Sequence, residues 1–360
     1  MKKIIFLLVI LLTTIFYLLR DNSLKTLDPK TGKNIIDIHV HVAGLGYGDS
    51  GCFIGQEMQD NFRFPFYLRA LGVNTEILQQ HGDKILFEKV SAKIAASQTI
   101  SQAVILAMDG FVSESGQFDR QATQVYIPND YVKRETDKFS NLLFGASINP
   151  NRKDAIKRLA QAKKDGAVLL KWIPSIMNID PADKKHIPFY QTMAELKIPL
   201  LTHTGMEKSF AAAKDELADP KRLELPLSLG VTVIAAHIAT TGSSQGEDNF
   251  NRIRKMFQSY PNLYADISSL TQVNKLNYLK QALNDKRLKG RLVYGSDWPL
   301  QFFPIVSPWY HLKHIGFSQA WEASGINNQW DKDIAIKVAL GVKNKIFTKS
   351  NDLLFPKPAM

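Results

Sequence analysis

The stretch NIIDIHVHVAG, residues 34–44, sets Asp37, His39 and His41 at every second position of an otherwise apolar run. Strand side chains alternate between faces, so the sequence predicts these three on one face and Ile36, Ile38 and Val40 on the other. Two imidazoles spaced this way can reach one metal ion, and the same spacing also describes two packed or exposed histidines. The pattern recurs along the chain. "PLLTHTG" ends an apolar run on His203, "VTVIAAHIAT" on His237, "RLVYGSDWP" on Asp297 and "AVLLKWIP" on Lys171. Alone, a strand-end His is a hydrogen-bonded packing residue and a strand-end Asp a cap. Brought together, imidazoles and a carboxylate suit a borderline ion such as Zn²⁺. His81 and His186 fall in helical or loop sequence and read as structural. Asp37 reads as a supporting hydrogen-bond partner, one step deeper than the histidines.

Convergence requires strands whose ends meet. Eight short apolar runs are predicted as strands: Ile35–Val42, Ala103–Met108, Leu142–Ile148, Ala167–Ile173, Pro199–His203, Val231–His237, Leu263–Asp266 and Leu292–Ser296. Helical patterns separate most of them, including Lys153–Asp165, Phe250–Gln258 and Lys275–Asn284. The first connection is long, with a glycine-rich loop over Gly44–Gly55 and two expected helices. Eight strands alternating with helices predict a single-domain (β/α)₈ TIM barrel, whose chemistry sits at the C-terminal mouth. A doubly wound sheet is the weaker alternative, because "GLGYG" follows the histidines and opens no helix. Asp109, Asn149 and Asp266 at other strand ends read as caps or substrate contacts. Trp172, Trp298, Phe302 and Phe303 read as pocket lining or core.

Together these motifs resemble the amidohydrolase superfamily of metal-dependent barrels, and within it the branch that includes the aminocarboxymuconate-semialdehyde decarboxylases. The likeness runs from about Ile35 to Phe347. "DIHVH", "LTHTG", "AAHIA" and "YGSDWP" match the motifs of strands one, five, six and eight, and "LGVKNKIF" the closing helix. The resemblance implies that His39, His41 and Asp297 bind a divalent ion, most simply Zn²⁺, with His203 on the same or a second ion. It also implies that Asp297 takes a proton from an activated water. His237 then orients that water, or binds a second ion. Lys171 is either an ordinary ammonium or, if carboxylated, a bridge between two ions.

Three readings follow: a metal-dependent hydrolase cleaving a C–N or C–O bond of a small molecule, a non-oxidative decarboxylase, and a binding barrel without catalysis. The formal charge of +11 comes from scattered basic residues with no stripe, so nucleic acid is not an expected partner. With Cys52 as the single cysteine, an internal disulfide and a CxxC site are excluded. Residues 1–20 pair Lys2 and Lys3 with an apolar run from Ile4 to Leu19. They are predicted as an uncleaved signal-anchor that holds the barrel to the cell membrane, outside the cytoplasm, with signal-peptide cleavage as the alternative. Residues 21–33 read as a linker, 34–350 as the barrel and 351–360 as a tail.

Overall fold

The computed structural model describes residues 6–11 and 34–356. Eight parallel strands hydrogen-bond in chain order: β1 Ile35–His41, β2 Ile100–Leu106, β3 Leu142–Ala146, β4 Leu169–Trp172, β5 Leu200–Thr202, β6 Val233–Ala235, β7 Leu263–Asp266 and β8 Leu292–Val293. The sheet curls until its edges meet. Val40 bridges Trp298, the His41 amide donates to the Trp298 carbonyl at 2.9 Å, and the Asp297 amide donates to the His39 carbonyl at 2.9 Å. Helices cover the outside, as expected of the (β/α)₈ barrel.

Two apolar layers account for the ring. Ile35, Val40, Ala103, Ile105, Leu170, Leu200 and Val233 pack under the helices. Ile36, Ile38, Val104, Leu106, Leu169, Leu201, Ile234 and Val293 fill the barrel interior as a floor. The helix Lys349–Leu354 extends into the stretch read as a tail, and its Leu354 joins that floor.

This layering corrects the alternation predicted for β1. Ile36 and Ile38 point into the barrel rather than under the helices, and Asp37 does not share a face with the histidines. A bulge is the reason. Asp37 pairs with Ala103 and Val40 with Ile105, so three residue steps on β1 oppose two on β2. The extra residue shifts the alternation by one and turns His39 and His41 inward above Ile38.

Several predicted bounds are also too long. β6 stops at Ala235, and His237, Ile238 and Ala239 all take left-handed backbone, with φ of 56°, 51° and 52°. β8 stops at Val293. At both ends the chain leaves the ladder to turn over the mouth. The β1–β2 connection holds four helices rather than two: α1 Gln56–Gln59, α2 Phe64–Leu71, α3 Thr75–His81 and α4 Ile85–Ala95. Its glycine-rich loop is organised by the buried Asp83 carboxylate, which accepts from the Leu45 and Gly46 amides and the Ser50 hydroxyl at 3.1, 2.9 and 2.5 Å.

Among the described residues no helix is long and apolar enough to cross a membrane. Of the predicted anchor only residues 6–11 are described, as helix; residues 1–5 and the linker 21–33 lie outside the described residues.

Candidate metal centre

Each strand end delivers one side chain to the mouth, and the contacts fix what each can offer. His39 Nδ1 lies 2.7 Å from Asp266 Oδ2, so Nδ1 carries the proton and donates it to the carboxylate. Nε2 is left with a lone pair. It faces His41 Nε2 at 3.1 Å and Asp297 Oδ1 at 3.5 Å, and His41 Nε2 is also 3.5 Å from that oxygen. Three ligand-type atoms thus converge on one point, in the spacing that lets them share an ion. The other Asp297 oxygen accepts from the Ser269 hydroxyl at 2.5 Å, which fixes the carboxylate plane. Asp297 holds this pose with left-handed backbone, φ 67°, a strained conformation of the kind found at functional sites.

A second converging set, His39, His237 and Asp266, is already occupied by hydrogen bonds. The His237 amide donates to Asp266 Oδ1 at 2.8 Å, the Ser268 hydroxyl donates to the same oxygen, and His237 Nδ1 lies 2.8 Å from that hydroxyl. Asp266 therefore orients two imidazoles, as carboxylates behind metal-binding histidines do. The His237 ring stacks on His39 with centroids 5.1 Å apart. His203 sits beyond it, 5.5 Å from the His237 ring, with Nδ1 3.3 Å from Glu207 Oε2. Its Nε2 is buried with no partner among the described residues, and the same is true of His41 Nδ1.

The donor set fits a divalent ion. A metal ligand must be a neutral imidazole, and burial drives all four histidines that way. His41 falls to about 4, His39 and His237 lie well below the ordinary range, and His203 is lowered as well. Burial by itself would raise the Asp297 carboxyl. The neighbouring His39 and His41 and the Ser269 hydroxyl outweigh it, so the group stays below its usual value and ionised.

Lys171 is fully buried, and its Nζ donates to His39 Nε2 at 2.8 Å. Burial lowers its ammonium to about 8, against the opposing pull of Asp297 and Asp266. It lies close enough to compete with an ion for the same lone pair.

Over this cluster lies a cavity of about 220 Å³. The helices after β1 supply its apolar side, and the Tyr67 hydroxyl on α2 donates to the Ser209 carbonyl at 3.2 Å across the top.

Other candidates resolve into structure. Asp109 binds Arg152 through both oxygens at 2.5 and 2.7 Å, and Asn149 ties Gly110 to Met177 through their carbonyls. Trp172 and Trp298 are fully buried in the core, and Phe303 is 76 % exposed. Burial lifts the Cys52 thiol to about 12, so it is no nucleophile at neutral pH. His186 is buried away from the mouth, while His81 is exposed on α3. Sequence reasoning gave Asp266 a capping or substrate-contact role, or a place as the ion-pair partner of Lys171, and it missed Ser268, Ser269, Glu207 and Lys275. The "DISSL" run that begins on the last residue of β7 and a Glu four residues past His203 were the available signals.

Comparison with known proteins follows the same lines. The family model described as amidohydrolase matches residues 36–316. No curated protein matches the chain. Among solved structures, a TIM-barrel protein of Bordetella bronchiseptica is similar at 16 % identity with a TM-score of 0.56, covering 89 % of this chain and 97 % of that one. A 2,6-dihydroxybenzoate decarboxylase from Rhizobium is similar at 12 % identity with a TM-score of 0.52, covering 89 % and 98 %. At such identities the likeness is one of fold. The family match spans most of the ring together with every strand end that feeds the mouth, and on that ground the chain belongs to the amidohydrolase family of metal-dependent enzymes.

Proposed function

We propose that the chain is a hydrolase that cleaves a C–N or C–O bond of a small molecule with water activated at the His39–His41–Asp297 centre. The observation that carries this reading is the arrangement of Asp297. One carboxylate oxygen faces two neutral imidazoles, and the other is held by Ser269. A divalent ion held by these residues would supply Lewis acidity, lowering the pKa of water to near 7 and polarising a substrate carbonyl. Zn²⁺ is the ion the imidazole-rich set favours.

The remaining work belongs to the protein. His39 is kept in the correct tautomer by Asp266. The Asp297 carboxylate takes the proton from the attacking water and returns it to the leaving group. His237, its Nδ1 tied to Ser268, keeps Nε2 as the basic nitrogen that orients the water. His203, with Nδ1 engaged by Glu207, offers Nε2 as a further ligand. Lys171 either stays an ammonium beside His39 or, if carboxylated, would help hold a second ion.

Non-oxidative decarboxylation is the second reading. It is supported by two buried lysines, Lys171 and Lys275, lining the cavity where a substrate carboxylate would sit.

Metal analysis of the purified protein, followed by a panel of esters, lactones, amides and aromatic acids, tests both. One or two ions per chain are expected, and two would favour the carboxylated Lys171. Asp297→Asn should lower turnover by about 10³-fold or more while still binding metal, and His39→Ala should lose the metal. Full activity in Asp297→Asn would remove the hydrolytic assignment. Carbon dioxide release without addition of water would select the decarboxylase.

A further inference from the structure

The formal charge of +11 is spread thinly along the chain, and the ring decides where it collects. In a parallel barrel every turn that enters a strand lies at the floor, and every loop that leaves one lies at the mouth. Lys163 and Lys164 close the helix Ala155–Lys164 in front of β4. Lys197 follows the helix Ile187–Glu195 in front of β5, and Lys286 and Lys289 stand in the turn in front of β8. All five are exposed, and none forms an ion pair among the described residues. Of the acids at the same face, Asp137 is paired with Lys133, Asp285 with Arg254 and Arg287, and Asp352 with Lys349. Asp165 and Glu195 are left against the five lysines. The mouth has the opposite balance. The connections after β1 and β2 carry more acids than bases, with Asp49, Glu57, Asp60, Glu114 and Asp119 exposed.

Two further features mark the floor. The helix Lys349–Leu354 is held to the start of the ring by the Asn351 side chain, which donates to the Asn34 carbonyl at 2.9 Å, and Phe355 after it is 50 % exposed. The chain also enters the ring here. Residues 20–33 are all that separate Asn34 from the apolar run ending at Leu19. A segment of that length spans at most about 50 Å, so the floor is the part of the barrel held closest to that run.

We propose that the floor of the barrel lies on an anionic lipid bilayer, with these lysines over the headgroups and Phe355 at the interface. Separated ammonium groups around a broad face suit a lipid surface, whose charges move to meet them. A nucleic acid calls for a stripe of base along one path, which this face lacks. Each lysine near such a surface is worth about fivefold in partitioning. The inference does not depend on the reaction at the mouth.

Lysine acetylation of the full-length protein by a water-soluble reagent, read by mass spectrometry, tests it. The protein is labelled on vesicles of phosphatidylcholine and on vesicles of phosphatidylcholine with phosphatidylglycerol. On the anionic vesicles, labelling of the five floor lysines should fall about threefold or more relative to the neutral ones, while Lys84 and Lys208 at the mouth are labelled alike on both. High salt should abolish the difference, because the attraction fades within a Debye length of about 10 Å at 0.1 M. Lys286→Glu combined with Lys289→Glu alters exposed side chains only, and should weaken the protection of Lys163, Lys164 and Lys197. Equal labelling of the floor on both lipids would overturn the proposal, as would protection of the mouth lysines instead or undiminished protection in the double variant. Protection by polyuridylate but not by vesicles would overturn it in favour of a nucleic-acid partner. If the protein does not stay on neutral vesicles, the membrane anchor fails; labelling on anionic vesicles is then compared with the free protein, and no protection there overturns the proposal.

Discussion

Asp37, on β1, accepts four hydrogen bonds. It accepts from the His39 amide at 3.0 Å, the Ser296 amide at 2.9 Å, the Ser296 hydroxyl at 2.5 Å and the Trp330 indole at 2.7 Å. Burial nevertheless pushes its carboxyl up to about 6, because desolvation outweighs the hydrogen bonds. The bond to the His39 amide closes a turn within β1, and that turn is the bulge that aims His39 inward. The bonds to Ser296 tie the same turn to the segment carrying Asp297. One side chain outside the metal centre thus sets the positions of two of its ligands. Asp37→Ala leaves these donors buried and unpaired, and should destabilise the metal-free protein by about 3 kcal/mol or more. Urea unfolding of the metal-free protein would measure this. Metal content should fall as well, even though Asp37 touches no ion. A variant with wild-type metal content and stability would show that the bulge forms without it.

At the scale of elements, the site depends on how closely β1 and the end of β8 approach. Gly295 makes that approach possible. A Cβ there would stand 2.9 Å from the His39 Cβ and 3.3 Å from Asp266 Oδ2. Gly295→Ala should therefore push His39 away from Asp266 with little disturbance of the rest of the ring. The expected outcome is a folded protein with weaker metal binding, roughly 10–100-fold, as for a disturbed residue behind a metal ligand. Titration with Zn²⁺ alongside a far-ultraviolet spectrum would check it, and unchanged affinity would mean the strand ends yield. The stack of Trp298 on Trp330, centroids 5.5 Å apart, holds the same seam from the outer side.

At the scale of the whole molecule, the described barrel begins at Asn34, whose carbonyl accepts from the Asn351 side chain at 2.9 Å at the floor of the ring. The metal centre lies at the opposite end, past the C-terminal ends of the strands. We propose that the apolar run from Ile4 to Leu19 tethers this floor to a membrane, so that the mouth faces away from the bilayer and takes substrate from water. Expressed in full, the protein should sediment with membranes. Without residues 1–22 it should be soluble, folded and as active as the full chain. A truncated form that is insoluble or inactive would count against the tether. How the ring could be read in advance follows from the same scale. Eight apolar runs separated by helical patterns dictate a parallel ring because each must bury both faces. Their exact ends could not be read, because the strands leave the ladder where the mouth's own contacts bend them, as at His237.

The sequence by itself indicated the barrel and most of the polar side chains that meet at its mouth. His39, His41, His203, His237, Asp297 and Lys171 are legible because strand-end polar residues after apolar runs leave a pattern along the chain. Only the tertiary structure decided what binds what. Asp266 turned from a presumed cap into the partner of His39, across a gap of 227 residues that no local pattern spans. Lys275 joined the cavity from a turn held by Ile305 and Val306, about thirty residues further along the chain. Strict alternation failed in β1 because a side-chain acceptor, Asp37, offered the backbone a turn that the ladder then had to absorb. Hydrophobic periodicity records which residues are buried. Long-range hydrogen bonds decide which way they point once buried, and those bonds exist only after the ring has closed.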